Sequence, residues 1–298
     1  MANSRPTTSG STGIADPAGI LVIGHRGLLG QELMKTLPAL GGVDGVDLPE
    51  CDVRDAARVE ALLAARRPRW VVNAAAYTDV DGCETNRSLA FAVNGAGAGN
   101  VARACRRLNA GLVHLSTDFI FDGEKGAPYV EEDAPRPVSV YGESKLAGEE
   151  EVRTAGGRFL IVRTAWLFGR GGRNFPDAIL ARARETGELK VVDDQVGSPT
   201  YAVDLASGIA ALIRAGAEGI VHLTNRGHCS WFAYARFIVR VAGVKAVISP
   251  AASEEMKRPA RRPAYSVLSL RRFEKITGSR MRPWQEAVRE YIMSGKNV

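Results

Sequence analysis

The sequence predicts an α/β fold: a doubly wound parallel sheet with a smaller, interleaved C-terminal lobe. Three observations predict it. Short apolar runs recur between longer stretches whose apolar residues keep helical spacing. The first run, Ile20-Leu21-Val22-Ile23, ends in Gly24, and Gly27 and Gly30 follow at three-residue intervals ahead of a helix-forming stretch over 31–37. The second run, Val43 to Asp47, ends in an acid about 20 residues beyond that turn. Strand, glycine turn and helix leave the first backbone N–H groups of the helix pointing outward, where the helix dipole adds positive charge. A pyrophosphate fits there, because residues without a Cβ let it approach, and this defines the Rossmann type of dinucleotide site. The Gly-xx-Gly-xx-Gly spacing is looser than the usual fingerprint, so the turn is a weak signal by itself.

The composition sets the frame for that reading. The chain has 298 residues, enough for one large domain or two intimate ones, and its 45% hydrophobic and 24% charged content is that of a globular protein. No apolar run is long enough to span a membrane. Residues 1–19 are rich in Ser, Thr, Gly and Pro and lack an apolar core, which predicts a disordered tail. The expected division is a dinucleotide-binding domain over 20–166 plus 200–228 and a substrate-binding lobe over 167–199 plus 229–298. Cys51, Cys83, Cys105 and Cys229 are scattered, and neither they nor the four histidines keep a metal-ligand spacing. This predicts a cytoplasmic protein with reduced thiols. The net charge is +6, and the stretch 257–282 holds nine Lys or Arg against one Glu. No nucleic-acid module accompanies it, which leaves a solvated face or, for Arg261 and Arg262, a diphosphate-bearing substrate.

The elements follow in order. Asp47, at the end of the second strand, can hold a ribose 2′-hydroxyl and so favours NADH. Arg26, inside the glycine turn, can meet a 2′-phosphate and so favours NADPH. The two signals oppose each other. Asp52-Val53-Arg54-Asp55 either lines an adenine or caps the helix expected over 56–65. Trp70-Val71-Val72-Asn73 is the third strand, and Ala74-Ala75-Ala76 at its carboxyl end would let a flat cofactor pass close to the backbone. One long helix is expected over 88–109, with Asn94 on an apolar face and in need of a hydrogen-bond partner. Leu112-Val113-His114-Leu115 is the fourth strand and ends in Ser116-Thr117-Asp118, where ligands of an open parallel sheet sit. Later strands are expected at 159–163 and 219–223, with a helix over 204–215 between them and Ser230 capping another.

A Gly- and Pro-rich loop then leads to Tyr141-Gly142-Glu143-Ser144-Lys145. On a helix, Tyr141 and Lys145 share a face, one turn apart. A nearby ammonium favours a phenolate and would lower the Tyr141 pKa. Tyr141 could then protonate a carbonyl oxygen as hydride reaches its carbon, with Thr117 hydrogen-bonded to the same oxygen. Lys145 could also hold the nicotinamide ribose. Alone, Tyr-xxx-Lys is an ordinary surface pair. Its place after a glycine turn, an acid strand end, Asn-Ala-Ala-Ala and Ser-Thr gives it weight.

That order resembles the extended short-chain dehydrogenase/reductase superfamily, and in detail the dTDP-4-dehydrorhamnose reductase family. The resemblance rests on Ser116-Thr117-Asp118-Phe119-Ile120-Phe121-Asp122-Gly123, Pro128-Tyr129-x-Glu131 and Tyr141-Gly142-x-Ser144-Lys145-x-x-Gly148-Glu149. It continues through Arg163-Thr164-Ala165-Trp166, Asn174-Phe175, Asp194-Gln195-x-Gly197-x-Pro199-Thr200 and Arg261-Arg262-Pro263-x-x-Ser266-x-Leu268. It implies Thr117, Tyr141 and Lys145 as the catalytic set. It also implies a cofactor site lined by Gly24, Arg26, Gly27, Leu28, Leu29, Gly30, Asp47, Asp52, Val53, Ala74, Ala75, Ala76 and Tyr77, together with Tyr141 and Lys145. Substrate contacts are implied for Thr117, Asp118, Trp166, Asn174, Phe175, Gln195, Arg261 and Arg262. Read without the family, Trp166 is a core residue, Asn174-Phe175 a helix start with a buried ring, and Gln195 the holder of a turn.

The implied activity is reduction, with NADPH or NADH, of the C4 ketone of a dTDP-4-keto-6-deoxy sugar. The leading substrate is dTDP-4-dehydro-L-rhamnose, with a possible homodimer and no nucleic acid or membrane as partner. Phe119 stands where the family usually has Tyr, which leaves another dTDP-keto-deoxysugar open. Asp118 stands where the epimerase-reductases that make GDP-fucose carry Cys, so the thiol acid/base of epimerisation is absent and plain reduction is favoured. A further reading is a non-catalytic dinucleotide-binding regulatory subunit, since the beta subunit of methionine adenosyltransferase is similar over the whole fold.

Overall fold

The computed structural model describes residues 19–294, so the tail expected over 1–19 lies, but for Gly19, outside the described residues. The first half runs β1 (Ile20–Ile23), α1 (Leu28–Thr36), β2 (Val43–Val46), α2 (Ala56–Arg66), β3 (Trp70–Asn73), α3 (Val80–Thr85) and α4 (Arg87–Ala90). A π-helical turn (Phe91–Ala96) leads into α5 (Gly97–Arg107), β4 (Gly111–Thr117), α6 (Val140–Ala155) and β5 (Phe159–Thr164). The second half runs β6 (Leu167–Phe168), α7 (Phe175–Thr186), β7 (Glu188–Val192), β8 (Val196–Gly197), β9 (Thr200–Tyr201), α8 (Ala202–Arg214) and β10 (Gly219–His222). It closes with β11 (Cys229–Ser230), α9 (Trp231–Ala242), β12 (Val247–Ala251), α10 (Arg271–Thr277) and α11 (Trp284–Ser294).

Six strands form one parallel sheet in the order β10-β5-β4-β3-β1-β2. Parallel strands need crossovers, and the helices that supply them cover both faces, so the central strands are buried on both sides and read as mainly apolar runs, whereas the edge strand β2, with Asp44 and Gly45, is half-buried over Val43 to Gly45. Val22, Val72, Val113 and Val162 face α1 and α8 through Leu29, Leu33, Leu205 and Ile209. Leu21, Ile23, Val71, Leu112 and Ile161 face α2, α5 and α6 through Leu63, Val101 and Val152. The strand order reverses between β1 and β3, which opens a crevice beyond their carboxyl ends. A third, aromatic cluster joins β6, β9, α9 and α11 through Phe168, Tyr201, Tyr234, Phe237, Trp284 and Tyr291, with Ile179 and Leu180 of α7 packed among them.

Two elements differ from the sequence expectation. The stretch 88–109 is not one helix: the π turn divides it, and α3 lies ahead of it, unforeseen. Packing explains the division. A Cβ on Gly148 would lie 2.2 Å from the Asn94 carbonyl oxygen, so α6 presses its backbone against the π turn where only glycine fits. The cap of α2 is Asp55, whose side chain accepts from the Arg58 N–H at 3.0 Å. Asp52 is occupied otherwise, as described below.

A buried ion pair ties the layers beneath the site. Arg163 of β5 donates to both carboxylate oxygens of Glu149 on α6, at 2.9 and 2.7 Å, with both side chains 2% exposed. Ser116 of β4 donates to the same carboxylate at 2.5 Å. The charge of Arg163 is therefore matched and hydrogen-bonded, as a buried charge requires.

Candidate active site

The glycine turn joins β1 to α1 at the switch point. Gly24 has φ of +84°, a conformation that favours glycine. A Cβ on Gly30 would lie 2.1 Å from the Gly24 carbonyl oxygen, so the first turn of α1 can rest on the loop only without one. No side chain caps α1 at Gly27, so the first-turn amides, Leu28 among them, have no side-chain acceptor, while Leu29 is buried on the α1 face. This cradle fits a dinucleotide pyrophosphate. Asp47 accepts from the Arg26 N–H at 3.0 Å and the Leu48 N–H at 2.8 Å, and Arg26 reaches the Leu48 carbonyl at 3.3 Å. The two residues that point to opposite cofactors therefore form one rim.

Ala74, Ala75, Ala76 and Tyr77 follow β3 and are half-buried beside that rim. Asn94 fixes their loop. Its amide oxygen accepts from the Tyr77 N–H at 2.8 Å, and its nitrogen donates to the Tyr77 carbonyl and to Ser144 of α6, both at 3.0 Å. The partner that a polar residue on this face requires is thus a backbone segment together with the helix of Tyr141. Two expected cofactor residues have partners within the chain. Both Asp52 oxygens are engaged by the Arg54 side chain, which holds the carboxyl below its usual range. Val53 is buried in the sheet core against Gly97.

Thr117 ends β4, and Tyr141 and Lys145 lie in the first two turns of α6, which is capped by Ser139. The sheet and this helix thus bring the three expected catalytic side chains to one place. The Thr117 hydroxyl donates to Asp118 at 3.0 Å and accepts from the Phe119 N–H at 3.2 Å. Phe119 sets its ring edge-on to Tyr141 at 5.5 Å. Lys145 is 2% exposed and donates to the Leu115 carbonyl at 2.6 Å. Burial lowers its pKa to about 8, with Glu149 opposing. The expected lowering of the Tyr141 pKa is corrected. Burial raises it, the Thr117 hydroxyl opposes, and the charges of Asp118 and Cys83 raise it further, so the phenol is fully protonated at neutral pH. The ammonium is turned to Leu115, and desolvation outweighs any help it gives. Behind Lys145, His114 is buried, and burial and the Lys145 charge drive its pKa well down.

Asp118 is 1% exposed and faces Thr117 and Ser266, so its expected substrate contact is corrected to a position behind Thr117. The Arg262 side chain, 15% exposed, meets both oxygens of Asp81 on α3 at 3.1 Å. Arg258 joins the same carboxylate at 3.5 Å, while Arg261 is exposed and pairs with Glu124 at 3.8 Å. Asn174 caps α7, accepting from the Asp177 N–H at 3.1 Å and donating to Gly169 and Tyr291. Phe175 packs on Trp231 and Tyr234. Trp166 lies against Gly197 and stacks on Trp231 at 3.5 Å, and Gln195 donates to Ser253 at 2.7 Å. Within the chain these four supply a helix cap, a loop contact and rings of the aromatic cluster. The sequence reading assigned no role to Glu149, Arg163, Asp81 or Ser266. One signal was available for Arg163, a lone charge at the end of Leu160-Ile161-Val162.

A parallel sheet with a glycine cradle at its switch point defines a dinucleotide-binding protein of the Rossmann type. The chain belongs to the RmlD substrate binding domain family, whose model matches residues 18–296. It is similar to the spore coat polysaccharide biosynthesis protein SpsK of Bacillus subtilis (strain 168), 40% identical over 92% of this chain and 96% of that protein. It is 41% identical to dTDP-4-dehydrorhamnose reductase of Streptomyces griseus over 91% of each chain. The crystal structure of dTDP-4-dehydrorhamnose reductase from Bacillus anthracis str. Ames in complex with NADP superposes with a TM-score of 0.90 at 35% identity, covering 94% of this chain and all of that one. No helix among the described residues is long and apolar enough to cross a membrane.

Proposed function

We propose that this chain reduces the C4 ketone of a dTDP-4-keto-6-deoxy sugar with NADPH or NADH, taking dTDP-4-dehydro-L-rhamnose to dTDP-L-rhamnose. The observation that carries the reading is the convergence of Thr117, Tyr141 and Lys145 on the carboxyl end of β4 beside the glycine cradle. Relatives named as reductases of such a sugar, one solved with NADP, support it. Residues 167–199 and 229–298 would form the substrate side.

A bound reduced nicotinamide supplies the hydride for the carbonyl carbon. The protein's residues handle the proton. Tyr141 is a neutral phenol at working pH and donates its proton to the carbonyl oxygen as that oxygen gains charge. Lys145, still cationic at pH 7, stands one turn away and stabilises the phenolate left behind. Gly24, Gly27 and Gly30 would hold the pyrophosphate, and Ala74 to Tyr77 would border the cofactor. Phe119 supplies no hydroxyl beside Thr117, and this favours a second reading in which the substrate is another dTDP-keto-deoxysugar.

The test is loss of reduced-nicotinamide absorbance with dTDP-4-dehydro-L-rhamnose generated in situ by a dehydratase and a 3,5-epimerase. Oxidation that vanishes in Tyr141→Phe supports the reading. Silence with this sugar and turnover of another keto-deoxysugar moves the assignment to the second reading. Silence across a panel, with cofactor bound by calorimetry, points to a regulatory subunit. A homodimer belongs to the same proposal and is read by light scattering.

A further inference from the structure

Hydrogen counting at Thr117 leads beyond the catalytic set. Thr117 has one proton, and Asp118 Oδ1, at 3.0 Å, competes for it with the Tyr141 oxygen. Ser266 also has one, and it goes to Asp118 Oδ2 at 2.5 Å. A carboxylate can accept both. While it does, Thr117 has no proton left for a substrate oxygen and can only accept. A neutral carboxyl reverses this. It donates its own proton to Thr117 Oγ1, keeps the bond from Ser266, and frees the Thr117 hydroxyl to donate to the ketone.

We infer that Asp118 is a positioning residue that works as the neutral acid, turning the Thr117 hydroxyl toward the substrate oxygen, with Ser266 holding it in place. The inference rests on the reductase reading above. The geometry suits the role. Asp118, Thr117 and Ser266 are 1%, 6% and 2% exposed, so the three are largely withdrawn from bulk water. Ser266 is fixed by its own backbone: its N–H donates to the Val196 carbonyl at 2.8 Å, and Val196 donates to Ala264 at 2.8 Å. The direction of the catalytic hydroxyl is thereby coupled to the C-terminal segment. Tyr141 on α6 is the titratable group that faces Asp118; Thr117 on β4 and Ser266 do not titrate in this range. Burial raises the Asp118 pKa to about 6, with the bonds from Ser266 and Thr117 opposing, so the neutral acid is accessible in the folded enzyme.

The experiment is the pH profile of kcat for keto-sugar reduction by the full chain, together with infrared detection of the protonated Asp118 carboxyl. In the wild type kcat falls about tenfold per pH unit above the Asp118 ionisation. Asp118→Asn, whose amide donates to Thr117 at every pH, removes that limb. Ser266→Ala removes a bond that favours the ionised form, so the limb moves to higher pH. A residue needed only for structure would lower kcat without moving it. The inference is overturned if the limb stays in place in both variants, or if Asp118→Asn is as inactive as Thr117→Ala at every pH. Should either variant fail to fold, the other decides. If no keto-sugar is turned over, the reductase reading fails separately, and the infrared band still answers. A carboxyl that ionises near pH 4 overturns the inference; one that persists past pH 5 and rises further in Ser266→Ala upholds it.

Discussion

The Lys145 ammonium donates to the Leu115 carbonyl oxygen at 2.6 Å, so the one cation of the proposed catalytic set is held by the backbone of the strand that ends in Thr117. Strand and helix are thereby locked one to the other at the point where chemistry is proposed. The same burial that fixes the amine weakens its hold on a proton.

That burial sets an upper pH limit. Lys145 ionises near 8 rather than at its ordinary 10.5, so its charge is present at pH 7 and lost as pH rises through 8. kcat/KM should fall above that point by about one further power of ten per unit. Asp118→Asn should retain this fall while losing the lower one, and steady-state profiles from about pH 4 to about pH 10, roughly two units beyond each ionisation, decide. A profile in Asp118→Asn that is flat through pH 8 would contradict the role given to Lys145.

Tyr141→Phe keeps the ring against Phe119 and removes the acid. The expected loss in kcat is about 10²–10⁴-fold, with cofactor affinity close to that of the wild type. Stopped assays of keto-sugar reduction and calorimetry with NADPH measure the two parts. Weak cofactor binding would show that the hydroxyl serves binding rather than proton transfer.

Gly30→Ala places a Cβ 2.1 Å from the Gly24 carbonyl oxygen. The backbone must shift, at a cost of about 1–3 kcal/mol or more. The midpoint of thermal unfolding should drop, and NADPH should no longer raise it. A variant that is stabilised by NADPH as the wild type is would place the pyrophosphate elsewhere.

Arg26→Ala removes the cation at the rim and leaves Asp47 its two backbone donors. NADPH affinity should fall about tenfold, roughly the worth of one charge-assisted hydrogen bond, while NADH affinity holds. Parallel titrations with the two cofactors test this, and equal losses would dissociate Arg26 from the 2′-phosphate.

Glu149→Ala leaves the Arg163 guanidinium in the core without a counter-charge. The expected destabilisation is about 3–5 kcal/mol, read from urea unfolding. A loss below about 1 kcal/mol would mean that water or His222, 3.4 Å from Arg163, takes over the pairing.

The sequence by itself determined the sheet and the local spacing of the proposed catalytic trio. Strands buried on both faces must be apolar throughout, so Ile20–Ile23, Trp70–Asn73 and the run ahead of Thr117 could be read off directly. The glycine turn and the one-turn spacing of Tyr141 and Lys145 follow from local geometry, and local geometry is written in adjacent residues. The tertiary structure alone decided what long-range packing controls. It decided that Asn94 lies on a π turn, because Gly148, far along the chain, sets the approach of α6. It decided that Arg262 meets Asp81, that Asn174 serves a cap, and that Asp118 faces Ser266. It also decided the proton affinities of Tyr141 and Lys145, where the sequence suggested the opposite sign for the tyrosine. Spacing records which groups are neighbours along a helix. Desolvation depends on everything that excludes water around them, and that is a property of the folded chain.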